Sequence, residues 1–370
     1  MIYFDNAATS YPKPDCVKSA VSDFIENRCG NPGRGGHSMS MKAAETVYGT
    51  RKKLAAFFGV SDPALCCFSG GCTEALNTAI FGILREGDRV ITSNIEHNSV
   101  RRPLIAAGCE ILTFDALAKD DEILSQVDKY IAGGAKALVC TCASNVFPVV
   151  LPVNKLGKLC KDRGVIFIAD GAQAAGHFDI DVIRDSIDVL CVPAHKGLYG
   201  IPGCGAMIFS PLFDSERMKP LLYGGSGVNS REPSMPFYPP EKFEAGTLPT
   251  AAIAALSAGL DFVNEAGIPE ISKKERAISE RILKNTADNK NVVFYHGKPG
   301  SLLCFNIKNA PSEKTAEMLN AHGVCARAGL HCSPDAHKMT APDGAVRISF
   351  SYFNTTEEAD AFCDILDFIS

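Results

Sequence analysis

The chain has 370 residues, enough for two domains at roughly 100–200 residues each. Hydrophobic residues make up 46% and charged residues 21%, a globular balance that excludes intrinsic disorder. A formal charge of −5 leaves no basic excess for a nucleic-acid backbone, and no run of about eighteen apolar residues offers a membrane span.

The first residues, Met1 to Asp5, lack the basic-then-apolar pattern of a signal peptide, so a cytoplasmic protein is expected. Helical periodicity covers Pro14–Asn27 and Ser40–Phe58. Short apolar runs then predict strands at Leu65–Ser69, Arg89–Ser93, Glu110–Phe114, Ala137–Cys142, Val165–Ala169, Val189–Val192 and Ala206–Phe209. Amphipathic stretches between them predict helices at Thr73–Arg85, Ser99–Ala107, Glu122–Ile131 and Asn154–Arg163. This alternation predicts an α/β fold with a mostly parallel, seven-stranded sheet covered on both faces. The segment Lys219–Pro249 is rich in Gly, Ser, Pro and aromatics and reads as a long functional or interdomain loop. Beyond it, helices at Thr250–Glu265, Ile268–Ala287, Glu313–His322 and Thr356–Phe368 and strands at Val292–Tyr295, Ser301–Ile307 and Ala345–Ser349 predict a smaller α/β unit. The composition shift places a large domain at residues 13–249 and a small one at 250–370, with residues 1–12 joining the small one.

Fifteen cysteines is a high and odd number, and many lie in apolar runs, such as Cys66, Cys67, Cys140 and Cys191. Buried thiols in a reducing compartment are therefore expected rather than a disulfide framework. No paired C-x₂-C spacing points to a structural metal, and none is expected.

In an open α/β sheet, ligands bind beyond the carboxyl ends of the strands. Gly70-Gly71-Cys72-Thr73 follows the first predicted strand and opens a helix. Its backbone N–H groups and the Thr73 hydroxyl suit an anion such as phosphate, or Thr73 is a plain helix cap. Asp170 ends an apolar strand; such an acid holds a protonated ring nitrogen, or simply caps a turn. Lys196, in Ala-His195-Lys196-Gly, follows a strand too apolar for the surface; it suits covalent work as an amine, against the alternative of a solvated surface lysine.

Phosphate turn, strand-end aspartate and strand-end lysine, in that order, resemble the class V aminotransferase family of fold-type I pyridoxal-phosphate enzymes. Within it, the chain is most similar to the second group of cysteine desulfurases and to selenocysteine lyases. The resemblance runs from Phe4-Asp5-Asn6-Ala7-Ala8 to Asn354-Thr355-Thr356-Glu357-Glu358. Its most specific part is Arg327-Ala-Gly-Leu-His331-Cys332-Ser333-Pro334, followed by Val346-Arg347-Ile-Ser.

The resemblance implies pyridoxal 5′-phosphate as cofactor, with Lys196 bound to it covalently, Asp170 on its ring nitrogen and Gln173 near its ring hydroxyl. His97 would stack on the ring, and Cys72 lies in the phosphate turn. Thr73 and His195 would hold the phosphate, joined by Thr247 from the other subunit of a homodimer. Asn145 would lie near ring and substrate, Arg347 would grip the substrate carboxylate, and Arg327 would stand on the active-site loop. Cys332 would accept sulfur from L-cysteine, or selenium from L-selenocysteine, and pass it to an acceptor protein. Arg327 and His331 are the local cations expected to favour its thiolate. The glycine-rich segment from Asn31 through Arg34 to Ser38 matches one that lines the substrate entrance.

Three departures stand out. Pro193 replaces a serine common before the histidine, Cys72 stands where threonine is frequent, and the turn Lys196-Gly197-Leu198-Tyr199-Gly200 is one residue longer than the usual pattern. A class V transaminase or lyase acting on another amino acid is the alternative enzyme, and it would need no Cys332. A non-catalytic sulfur carrier would need no Lys196. A nicotinamide dehydrogenase is disfavoured because no Gly-x-Gly-x-x-Gly follows the first strand.

Overall fold

The computed structural model describes every residue except Arg34 and Met339, so Arg34 of the candidate entrance segment lies outside the described residues. A seven-stranded sheet runs in the order Cys66–Ser69, Gly205–Phe209, Val189–Pro193, Ile166–Asp170, Ala137–Thr141, Arg89–Ser93 and Glu110–Phe114. Only Gly205–Phe209 runs against its two neighbours. The carboxyl ends of the other strands therefore share one edge.

The inner strands are buried almost end to end because both faces are covered, whereas the edge strand Glu110–Phe114 is partly exposed. Along Ala137–Cys140, Leu138 and Cys140 enter one core cluster while Ala137 and Val139 enter another. The alternation of side chains across a strand thus divides the main core into two layers. A third cluster gathers Phe4, Leu303, Phe305, Val346, Ile348 and Phe362 around a four-stranded antiparallel sheet. That sheet is ordered Arg327–Gly329, Ala345–Ser349, Leu302–Ile307 and Val292–Tyr295.

Three short elements add to the expected ones, and a fourth, Val324–Cys325, lies where Gly-Val-Cys-Ala reads as a strand entering the cysteine loop. Ile2–Tyr3 pairs in parallel with Val324–Cys325, Arg327–Gly329 forms an edge strand, and Pro334–His337 forms a single helical turn. The two residues of Ile2–Tyr3 carry too little periodicity to announce a strand. Here the pairing comes from chain segments more than 300 residues apart in sequence.

All fifteen cysteines are free thiols; most are buried, and Cys16, Cys29 and Cys332 are exposed. No single described helix is long and apolar enough to cross a membrane; Thr250–Ala266 and Ile268–Asn285 pass such a test only as a pair, bent by 80°.

Candidate active site

The shared strand edge opens into a cavity of about 600 Å³. Gly70, Gly71, Cys72 and Thr73 line it, together with His97, Asn145, Asp170, Gln173, His195 and Lys196. The residues that follow five separate strands thus meet in one place.

Helix Cys72–Ile83 starts at this cavity. Its N-cap is Gly71, which makes no side-chain cap hydrogen bond. The helix therefore begins one residue before Thr73, and Thr73 is not its capping residue. Its hydroxyl is left for the cavity, as are the first N–H groups of the helix, which no capping side chain occupies. Gly71 has φ +151°, a conformation that side-chain-bearing residues rarely adopt.

Asp170 is buried at the end of its strand. Its Oδ1 accepts the Ala172 N–H at 2.9 Å and the Cys72 thiol at 3.4 Å. Burial pushes the Cys72 thiol well up, and Asp170 adds to it, so Cys72 is a neutral donor. Lys196 moves the other way. Burial lowers its amine against the pull of Asp170, and the charges of Arg347 and Arg327 lower it further.

His97 caps helix Asn98–Ala106, its Nδ1 accepting the Ser99 N–H at 3.1 Å. A backbone N–H can only donate, so the proton of the neutral ring sits on Nε2. Burial, with Lys196 and Arg347, keeps this ring neutral despite Asp170. His195 is also neutral: burial first, then Lys196 and Lys13, bring it down to about 4. Its Nδ1 is buried without a hydrogen-bond partner. Its carbonyl is crowded with donors from the N-terminal segment: the Ser10 N–H at 3.0 Å, the Thr9 and Ser10 hydroxyls at 3.1 Å and the Lys13 amine at 3.0 Å. Gln173 donates to the Ala7 carbonyl at 3.0 Å. Residues 7–13 therefore strap the lysine turn in place.

Cys332 and Arg347 stand beside this cavity rather than among its lining residues. The Cys332 carbonyl accepts the Asn98 N–H at 2.7 Å, immediately after His97. Asn145 holds the loop on both sides. Its Nδ2 donates to the His331 carbonyl at 2.7 Å, and its Oδ1 accepts the Ser333 hydroxyl at 2.7 Å. Arg101 adds an ion pair to Asp335 at 2.6 Å. Between these ties, His331 and Cys332 have φ +51° and +58°, two consecutive left-handed residues that are not glycine.

Arg347 is buried. Its Nη2 pairs with Asp5 at 2.8 Å and its Nη1 donates to the Asn145 carbonyl at 2.9 Å, while Nε has no partner. In the sequence Asp5 stands only as part of the motif Phe4-Asp5-Asn6-Ala7-Ala8. Its contact with Arg347 joins the two ends of the chain, and no local pattern could have shown it. Glu96, beside His97, likewise carries no local signal of its burial. Burial pushes it up to about 8 while its carboxyl takes the Thr141 N–H at 3.0 and 3.1 Å.

One expectation is corrected. His331 is not a cation beside Cys332. It is buried and stacked on His337, and burial with Arg347 brings it down to about 3. Its Nε2 donates to the Arg327 carbonyl at 3.3 Å, and its Nδ1 lies 3.2 Å from His337 Nε2. Arg327, which is exposed, is left as the cation of that pair of expected residues.

Thr247 is not in the Lys196 cavity. It lines a separate, larger one of about 1020 Å³ with Tyr48, Arg51 and Gly225, and the two cavities share no residue.

The chain matches the aminotransferase class-V family over residues 2–362. The chain belongs to this family. Among the proteins similar to this class-V chain, a probable cysteine desulfurase of Pyrococcus abyssi is 31% identical, over 99% of this chain and 94% of the relative. One of the same description from Methanothermobacter thermautotrophicus is 31% identical over 100% and 94%. An apo cysteine desulfurase from Thermococcus onnurineus superposes with a TM-score of 0.90 at 30% identity, covering 100% of this chain and 94% of that one. The Escherichia coli cysteine desulfurase CsdA gives 0.88 at 25% identity, over 99% and 93%. The α/β architecture with its mostly parallel sheet is that of the fold-type I class-V structures.

Proposed function

We propose that the chain is a pyridoxal-phosphate-dependent cysteine desulfurase, converting L-cysteine to L-alanine and taking the sulfur onto Cys332 as a persulfide. The observation that carries this reading is the placement of Cys332. It is exposed, held by its own carbonyl to the residue after His97, and adjacent to the Lys196 cavity. The names of the relatives support the same activity.

The cavity's residues fit the cofactor. A helix start with no capping side chain, the Thr73 hydroxyl and His195, whose Nδ1 lacks a partner, would hold the phosphate. Asp170 would hold the ring nitrogen, its other oxygen being oriented by Ala172 and Cys72. His97 would lie on the ring and Gln173 beside its hydroxyl. When bound, pyridoxal phosphate supplies an electron sink that makes the substrate α-hydrogen acidic.

The protein's own groups do the rest. Lys196 would hold the cofactor covalently, and its lowered amine suits it to take the α-proton once released. Arg347 would hold the substrate carboxylate; Asp5 and Asn145 already fix the plane of its guanidinium. The Cys332 sulfur would bond to the substrate sulfur as the carbon–sulfur bond breaks, the electron pair staying with the carbon fragment that becomes alanine. L-selenocysteine would meet the same groups. The exposure of Cys332 suits delivery to an acceptor protein.

We also infer a homodimer. Thr247 is absent from its own chain's Lys196 cavity, and Tyr48, Tyr223, Phe237 and Tyr238 are exposed around the face where it lies. Residues 13–249 and 250–370 are read as its large and small domains, with 1–12 strapped across them.

The test compares wild type with Cys332→Ser. The variant is expected to bind the cofactor with an unchanged absorbance spectrum and to lose alanine release from L-cysteine roughly 10²-fold or more. Equal alanine release would refute the role of Cys332.

A further inference from the structure

Lys196 sits on a turn gripped through its backbone. Gly176, at φ +86°, faces Gly197 so closely that a Cβ there would stand 2.0 Å from the Gly197 carbonyl oxygen. A Cβ on Gly197 would in turn stand 2.3 Å from the Ala175 carbonyl and 2.7 Å from the imidazole of His177. From the other side, a Cβ on Gly259 would stand 2.1 Å from the Leu198 carbonyl. The His177 ring therefore packs directly on the residue after Lys196, where the turn is one residue longer than the family pattern.

His177 is itself held. Its Nδ1 lies 2.9 and 3.0 Å from the two carboxylate oxygens of Glu275, and both residues are buried. Glu275 belongs to helix Ile268–Asn285, and Ser272 on the same helix donates its hydroxyl to the His177 carbonyl. Burial alone would lower His177, but the charge and hydrogen bond of Glu275 outweigh it and raise the ring above its ordinary value. Lys196 and Tyr199 are the other titratable groups that feel this pair. A buried ion pair adds little stability over well-packed apolar side chains. Its place behind the lysine turn gives it a different use.

We propose that His177 and Glu275 are a positioning pair: they fix the lengthened turn so that the Lys196 amine points into the cavity, and they tie that turn to helix Ile268–Asn285. The proposal rests on the reading of Lys196 as the residue that holds the cofactor.

The test uses full-length protein loaded with pyridoxal phosphate: wild type, His177→Gln, Glu275→Gln and the double variant. Three quantities are read: the absorbance maximum of the bound cofactor, its release half-life, and the yield of cofactor fixed on Lys196 by borohydride. The variants are expected to shift the maximum, shorten the half-life about tenfold and lower the fixed yield, with an unchanged circular dichroism spectrum. Should the single variants, which strand a buried charge, not fold, the double variant decides, because it keeps polar partners without charge. A lower Tm with wild-type absorbance, half-life and yield would overturn the pair's positioning role while leaving Lys196 in place. Wild-type protein that fixes no cofactor at Lys196 would overturn the underlying reading and the pair's role with it.

Discussion

The Lys196 cavity and the Cys332 loop lie side by side but are built differently. The cavity draws its polar groups from strand ends of a sheet that is buried on both faces. Asp170 is 1% exposed, and the His195 carbonyl alone receives four donors. The loop follows only a short edge strand, Arg327–Gly329, of the smaller sheet. Cys332 is exposed on left-handed backbone, kept there by Asn98, Asn145 and Ser333. The difference matches two tasks. A cofactor must be held in one orientation, whereas a thiol that receives and hands on an atom must stay reachable.

The largest expected effect falls on the cavity. Lys196→Ala removes both the covalent anchor and the proposed base, so alanine release from L-cysteine is expected to fall roughly 10³-fold or more. Purified variant with no borohydride-fixed cofactor is the accompanying sign. Activity within tenfold of wild type would show that the amine is not needed.

A smaller effect is expected in the loop. Ser333→Ala leaves the Asn145 amide oxygen without its hydroxyl donor on the loop side, a loss that costs about 1–3 kcal/mol when buried. Sulfur transfer is expected to drop about 10- to 100-fold, with the cofactor spectrum nearly unchanged, and hydrogen exchange in residues 327–335 to quicken. If the spectrum changes as much as the rate, the two regions are not separable in the way described.

The smallest effect concerns pH. His331 stays neutral down to about 3 in the folded chain against 6.5 ordinarily. The unfolded state therefore binds the extra proton first as pH falls below about 6.5. The stability that neutral His331 contributes is fully present above 6.5 and is lost as pH falls toward 3. Glu96, raised to about 8, works in the opposite direction, so the comparison of variant with wild type isolates His331. His331→Asn should lose less stability than wild type between about pH 6.5 and 5 in urea melts. Parallel curves would mean that His331 titrates normally.

Much of this was legible in the sequence because it is local. The seven strands of the large sheet appear within a residue or so of their predicted ends, since apolar runs bounded by Gly, Asn and Asp mark buried strands. Gly70 to Thr73, Asp170 and Lys196 stood out because each follows such a run. What was not legible depends on distant partners. The Asp5–Arg347 pair, the Asn145 clamp on the cysteine loop and the Glu275 contact behind Lys196 each join segments far apart in the chain. The neutrality of His331 is of the same kind: its neighbours in sequence suggest a cation, and its burial against His337 prevents one.

The most direct test of the account is the intact mass of cofactor-loaded protein after brief exposure to L-cysteine without reductant. One added sulfur on Cys332, with alanine released in equal amount, is the predicted result. Protein that holds its cofactor yet gains no sulfur at Cys332 and releases no alanine would contradict it.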